Sequence, residues 1–115
     1  MPLHLIHMAE YDITIIEPDT DLLGGPETEE LRTTISKLNE KGNLKLVVDL
    51  SKVSYLNSFA LGVLTTACVK YNQRGGSIVL CGLNPNVMNV FHATRLTMVF
   101  KIYTDQDEAI DHLIN

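Results

Sequence analysis

Seven residues in the middle of the chain, Leu44-Lys45-Leu46-Val47-Val48-Asp49-Leu50, are apolar almost without a break. A strand with one face in water alternates apolar and polar residues, whereas a strand covered on both faces does not. The run predicts a central strand buried on both sides. Such a strand belongs to a sheet with helices on its faces, and that limits the chain to a few layered α/β arrangements.

The rest of the chain supplies the other layers. Residues 3–8 and 11–17 read as two short strands, and Tyr11-Asp12-Ile13-Thr14-Ile15-Ile16 is rich in β-branched residues. Glu10-Tyr11-Asp12 lies between them and suggests a hairpin. Pro18 to Pro26, with Gly24-Gly25, reads as a loop. A helix then begins at Glu27 with acids in its first turn, carries Leu31, Ile35 and Leu38 as its buried stripe, and stops at Lys41-Gly42-Asn43. After the central strand comes a second helix, about Ser58 to Gln73, ended by Arg74-Gly75-Gly76. Ser77-Ile78-Val79-Leu80-Cys81 is another buried strand. Asn84-Pro85 has the form of a cap followed by a first-turn proline, with Val87, Val90 and Phe91 as the apolar face of a third helix. Val99 to Tyr103 is the last strand. Thr104-Asp105-Gln106-Asp107-Glu108 offers capping boxes to a final helix that packs through Ala109, Ile110 and Leu113. The order ββαβαβαβα requires crossover connections, so the expected fold is α/β with a mixed, mostly parallel sheet and about four helices. The 115 residues read as one domain, 1–115.

Charge and composition exclude several functions. The net charge is −5 with scattered Lys and Arg, so the basic stripe that nucleic acid requires is missing. No segment reaches the roughly 18 apolar residues of a membrane span, and Met1 to His7 lacks the basic start and long apolar run of a signal peptide. The chain reads as cytoplasmic. Cys68 and Cys81 lie in apolar contexts without a Cys-x-x-Cys pair and are expected to be buried. His4, His7, His92 and His112 are spread over four elements without metal-ligand spacing, and His4 and His7 should face opposite sides of a strand. Gly24-Gly25-Pro26 and Gly75-Gly76 match no phosphate-binding loop. Asp49 ends the central strand and is expected near Ser58, but no further group completes a catalytic set. Neither a cofactor nor an enzymatic activity is indicated.

Attention falls on Tyr55-Leu56-Asn57-Ser58-Phe59-Ala60-Leu61-Gly62-Val63-Leu64. It opens the second helix, where unpaired backbone N–H groups favour an anion. The Ser58 hydroxyl has two readings there: a helix cap, or a phosphate acceptor. At about 100° per residue, Leu61, Leu64, Thr65, Cys68 and Asn72 fall on the core side. Phe59, Val63, Thr66 and Lys70 fall on the other. An outward Phe59 beside an outward Val63 suggests a contact patch; alternatively, Phe59 folds back under the Gly24-Gly25 loop.

The stretch from Leu46 to Leu64 resembles the signature of STAS domains, and more narrowly that of the small bacterial anti-sigma factor antagonists. That pattern is an apolar strand, then Asp-Leu-Ser, a few residues, then Asp-Ser-[Ser/Thr]-Gly-Leu-Gly. Arg74-Gly75-Gly76, Asn84-Pro85, Leu96 to Phe100 and the Ala109 helix continue the resemblance over the whole chain. It implies a partner-switching mechanism. The unphosphorylated antagonist binds an anti-sigma factor that is also a serine kinase. Phosphorylation of the motif serine, here Ser58, ends the complex, and a phosphatase resets it. The resemblance thus favours acceptor over cap. It implies a non-enzymatic regulator of sigma-factor-dependent transcription, a monomer or weak dimer, that meets its partner through Asn57, Phe59, Ala60, Val63, Gly24 and Gly25. Asn57 stands where the pattern has Asp, Phe59 where it has Ser or Thr, and Ala60 where it has Gly. Gly24 stands about where many antagonists carry an Asp. The alternative is a STAS scaffold or transporter-associated module that is never phosphorylated and docks through Phe59 and Val63.

Overall fold

The computed structural model describes residues 3–114. Five strands, β1 (Leu3–Met8), β2 (Ile13–Pro18), β3 (Lys45–Asp49), β4 (Ser77–Cys81) and β5 (Lys101–Tyr103), form one sheet in sequence order. Four helices, α1 (Pro26–Glu40), α2 (Ser58–Gln73), α3 (Pro85–Ala93) and α4 (Gln106–Ile114), complete the ββαβαβαβα order that the sequence predicts. β1 and β2 pair antiparallel, with Leu5 opposite Ile16. From β2 onward every pairing is parallel: Thr14 lies opposite Leu46, Val48 opposite Leu80, and Leu80 opposite Ile102.

This topology decides where the helices go. Three crossovers, through α1, α2 and α3, each step one place along the sheet in the same direction. Crossovers of a parallel sheet are right-handed, so all three helices land on one face. α4 has no strand after it and covers the opposite face. The buried side chains sort accordingly. Leu46, Val48 and Leu50 join Leu31, Ile35, Leu64 and Phe91 in the larger core. Val47 joins Ile13, Ile15, Val79, Cys81 and Ala109 in the smaller. Consecutive residues of β3 thus enter opposite cores, which is why the strand shows no alternation.

Two strands begin two residues later than the sequence suggests. β2 begins at Ile13, because Tyr11 and Asp12 turn the chain: their N–H groups donate to Met8 and Ala9 carbonyls, and Asp12 has φ of 54°. β5 begins at Lys101, because Leu96–Met98 forms a 3-10 turn after Arg95 at φ 61°. That turn delivers Phe100 into the larger core, edge-on to Phe91 at 5.9 Å. The helix signals hold. Pro26 and Pro85 occupy first-turn positions, Asn84 caps α3 by accepting the Val87 N–H at 2.9 Å, and at the start of α4 Asp105 accepts the Glu108 N–H while Glu108 reaches back to the Thr104 N–H. Gly42, at φ 83°, closes α1.

Candidate functional site

Parallel strands leave their carboxyl ends, and the loops that follow, on one edge of the sheet. The loops after β2 and β3 are zipped together there. Leu22 and Leu56 form an isolated parallel bridge: the Leu22 N–H donates to the Tyr55 carbonyl at 3.1 Å, and the Asn57 N–H to the Leu22 carbonyl at 3.0 Å. The Asp21 carboxylate also accepts from the Ser54 and Tyr55 N–H groups, at 2.8 and 3.2 Å. Both leucines of the bridge are buried, so the zipper is anchored in the core. The result is a fixed platform from which α2 starts.

Asn57, not Ser58, is the cap of α2. Its backbone is extended and its side-chain Oδ1 accepts the Ala60 N–H at 3.1 Å. The cap reading of Ser58 is therefore overturned. Ser58 is the first helical residue, exposed, and its hydroxyl is not committed to closing the helix. The N–H groups of Ser58 and Phe59 lie in the first turn, where a helix leaves donors unpaired. The first turn of α2 holds no acidic residue, whereas those of α1 and α4 each hold two. An anion on Ser58 would meet the positive end of the dipole without a like charge in that turn.

The loop before α1 closes over this helix start. Gly24 has φ of +84°, and a Cβ placed on it would lie 3.3 Å from Asn57 Nδ2 and 3.4 Å from Phe59 Cβ. Its N–H donates to Thr28 Oγ1 at 2.9 Å. Gly25 is the residue before α1, and its N–H donates to the Glu27 carboxylate at 2.9 Å. Glu27 also accepts from the hydroxyl and N–H of Thr28, both at 2.6 Å. The Thr28 hydroxyl in particular, with these N–H groups, holds its carboxyl below the usual carboxylate range.

The remaining sequence candidates divide. Phe59 combines both of its readings: its Cβ packs by Gly24, yet 51% of the residue stays exposed. Val63 does not face outward. It is 8% exposed and lies between α1 and α2, because α1 packs against the side of α2 that a single-helix angle reading leaves to solvent. Ala60 is fully buried in the larger core, so its side chain offers a partner nothing. Asn72, expected on the core side, is exposed near the helix end. Large apolar side chains that do stay exposed on the two linked loops are Leu23, at 53%, and Tyr55, at 54%. Periodicity has no purchase on loop residues, so the sequence signal for these two is weak.

Asp49 is not near Ser58 in the way the sequence suggests. It follows Val47 in the strand alternation and faces α4, on the opposite side of the sheet from α2. Its Oδ2 accepts from Gln106 Nε2 at 2.6 Å and its Oδ1 from the Ser51 N–H at 2.9 Å; Gln106 Nε2 also donates to Glu17. Asp49 thus ties β3 to α4. Cys68 and Cys81 are both buried free thiols, as expected, and burial pushes Cys81 up to about 12, which removes it as a nucleophile. His7 Nδ1 meets Thr14 Oγ1 at 3.0 Å and its Nε2 lies 3.6 Å from Asp12, while His4 lies 3.9 Å from Glu17. Among the described residues no cluster of His, Cys, Asp and Glu is arranged to hold a metal, and no helix is long and apolar enough to cross a membrane.

Known proteins share this fold. BtrV of Bordetella bronchiseptica, assigned as an anti-sigma factor antagonist, is 26% identical over 102 residues, covering 89% of this chain and 88% of BtrV. The crystal structure of TM1081 of Thermotoga maritima, with the same assignment, superposes with a TM-score of 0.90 at 24% identity, covering 98% of this chain and 95% of that one. The phosphorylated form of the Bacillus cell fate determinant SpoIIAA superposes with a TM-score of 0.75 at 20% identity, over 96% of this chain and 98% of its own. The STAS domain family model matches residues 9–109. With that match over most of its length, and with the strand–cap–helix platform that the motif encodes, this chain belongs to the STAS domain family.

Proposed function

We propose that this protein is an anti-sigma factor antagonist whose affinity for an anti-sigma factor is set by phosphorylation of Ser58. The observation that carries the reading is the division of labour at the start of α2: Asn57 caps the helix and leaves the neighbouring Ser58 hydroxyl exposed. The similarity to BtrV supports the class of partner. The protein's role is binding, with no reaction of its own beyond accepting a phosphoryl group from a serine kinase and losing it to a phosphatase.

Phosphorylation adds about −1.5 to −2 charges and three acceptor oxygens. Within the protein this charge meets the positive end of α2, so the fold survives it. Within an interface formed by Phe59, Leu23 and Tyr55, the same dianion is desolvated without a partner, and the complex weakens. The test is direct. Incubation with a cognate kinase and ATP adds one phosphate, mapped by mass spectrometry to Ser58. Ser58→Ala binds the anti-sigma factor constitutively, and Ser58→Asp binds at least tenfold more weakly. A Ser58→Asp variant that binds as tightly as wild type sinks the switch.

A second reading has one observation in its favour. Leu23, Tyr55 and Phe59 are each about half exposed on the linked loops and helix start, and such large apolar residues suit a permanent docking patch. In that case Phe59→Ala abolishes partner binding while Ser58→Asp leaves it intact.

A further inference from the structure

Helices α1 and α2 run side by side, and a cleft of about 520 Å3 opens between them. Sites for small ligands typically occupy roughly 300–1,000 Å3. One end of this cleft lies at Ser58 and Phe59. The other lies at the carboxyl ends of both helices, where Arg74 Nη1 donates to the backbone and side-chain oxygens of Asn39 and clamps α2 to α1. Ile35, Val63 and Ala67 give the cleft an apolar middle.

Two polar atoms at the Arg74 end are out of place in a finished core. Tyr71 is fully buried and its hydroxyl has no hydrogen-bond partner. The Asn39 Nδ2 is buried and also has none. Both residues line the cleft. Arg74 already occupies Asn39 Oδ1, which fixes the amide with its NH2 group as the free donor. Burial pushes the Tyr71 phenol up to about 12, so it too stays a donor at neutral pH. Buried donors without acceptors are costly, and native proteins rarely keep them. Beside them at the mouth stands Lys70, with which no carboxylate pairs among the described residues; the exposed Glu40 is the acid on that rim.

We propose that this cleft is a binding site for a small aliphatic carboxylate. Its apolar chain lies along Ile35, Val63 and Ala67. Its carboxylate accepts from the Tyr71 hydroxyl and the Asn39 amide, with Lys70 nearby to balance the charge. The polar end of the site lies away from the Ser58 switch: the donors sit at the far end of α2, and binding requires neither a kinase nor an anti-sigma factor.

The probe is decanoate, held below its micellar concentration and titrated into the full chain by two-dimensional NMR. Saturable shifts are expected at the Ile35, Val63 and Ala67 methyls and at the Asn39 side-chain amide. Decyltrimethylammonium, with the same chain and the opposite charge, should leave these signals in place. Tyr71→Phe separates a ligand donor from a merely buried hydroxyl. It should raise the melting temperature of the free protein, by removing an unpaired polar group, and weaken decanoate about fivefold or more. The proposal is overturned if decanoate does not shift the cleft signals, if the cationic analogue shifts them equally, or if Tyr71→Phe binds decanoate as tightly as wild type.

Discussion

Asn57 Oδ1 accepts the Ala60 N–H at 3.1 Å, and this one bond frees the neighbouring serine from capping the helix. An Asn cap replaced by Ala typically costs about 0.5–2 kcal/mol. Asn57→Ala should lower the urea midpoint accordingly. Ser58→Ala, at an exposed first-turn position, should change stability by less than about 0.5 kcal/mol. If the two variants exchange these effects, Ser58 is the cap after all and its hydroxyl is not free for phosphorylation.

Gly24 stands under a different constraint. Its φ of +84° costs an ordinary L-residue about 1–2 kcal/mol, and any Cβ there must sit between Asn57 Nδ2 and Phe59 Cβ. Gly24→Ala should therefore destabilise by at least that amount. Gly24→Asp should cost less than Gly24→Ala, because Asp tolerates this backbone region better and its carboxylate lies within reach of the Asn57 amide. Denaturant titration of the pair checks the order. A more stable Ala variant would mean that the loop leaves its position over α2.

The contrast between these neighbours shows what a sequence can carry. The β3 run and the order of strands and helices predict the sheet, the crossovers and both cores, because burial on two faces leaves a direct trace in composition. Asn57-Ser58 does not say which side chain caps, since both residue types cap well and the answer depends on the backbone angle one residue earlier. Val63 misleads for a different reason. A helical wheel knows one core, while α2 packs against the sheet and against α1, so two sides of it are buried. Leu23 and Tyr55 sit in loops, where no period exists to show their exposure.

Glu27 gives stability a defined pH dependence. Its folded-state carboxyl is held below its ordinary value, chiefly by the Thr28 hydroxyl and also by the N–H groups of Thr28 and Gly25. A group with a depressed folded pKa contributes stability that is present above its unfolded value, near 4.3, and lost as pH falls through its folded value. Glu27→Gln should therefore flatten the acid limb of the stability profile below about pH 5. It should also loosen the Gly24-Gly25 turn beside Asn57. Urea midpoints of both proteins between pH 3 and 7 make the comparison. Parallel acid limbs would show that Glu27 contributes nothing to acid sensitivity.

Asp49 and Ser58 lie on opposite faces of the sheet, which separates stability from binding. The Asp49 carboxylate accepts from Gln106 Nε2 and from the Ser51 N–H, and it is 9% exposed. Replacing it with Ala removes the acceptor of the Ser51 N–H and leaves Gln106 Nε2 with Glu17 alone, at a cost of about 0.5–1.5 kcal/mol for each lost hydrogen bond. Asp49→Ala should unfold at lower urea and should speed hydrogen exchange in α4 first. Gln106→Ala should reproduce part of the effect, and the double variant should fall short of the sum, since the two side chains share one bond. Affinity for the proposed anti-sigma partner, measured on the folded fraction, should stay within about twofold of wild type, because nothing in this contact reaches the start of α2. A selective loss of binding with stability intact would place Asp49 in the interface and return it to the neighbourhood of Ser58, where its position in the sequence suggests it lies.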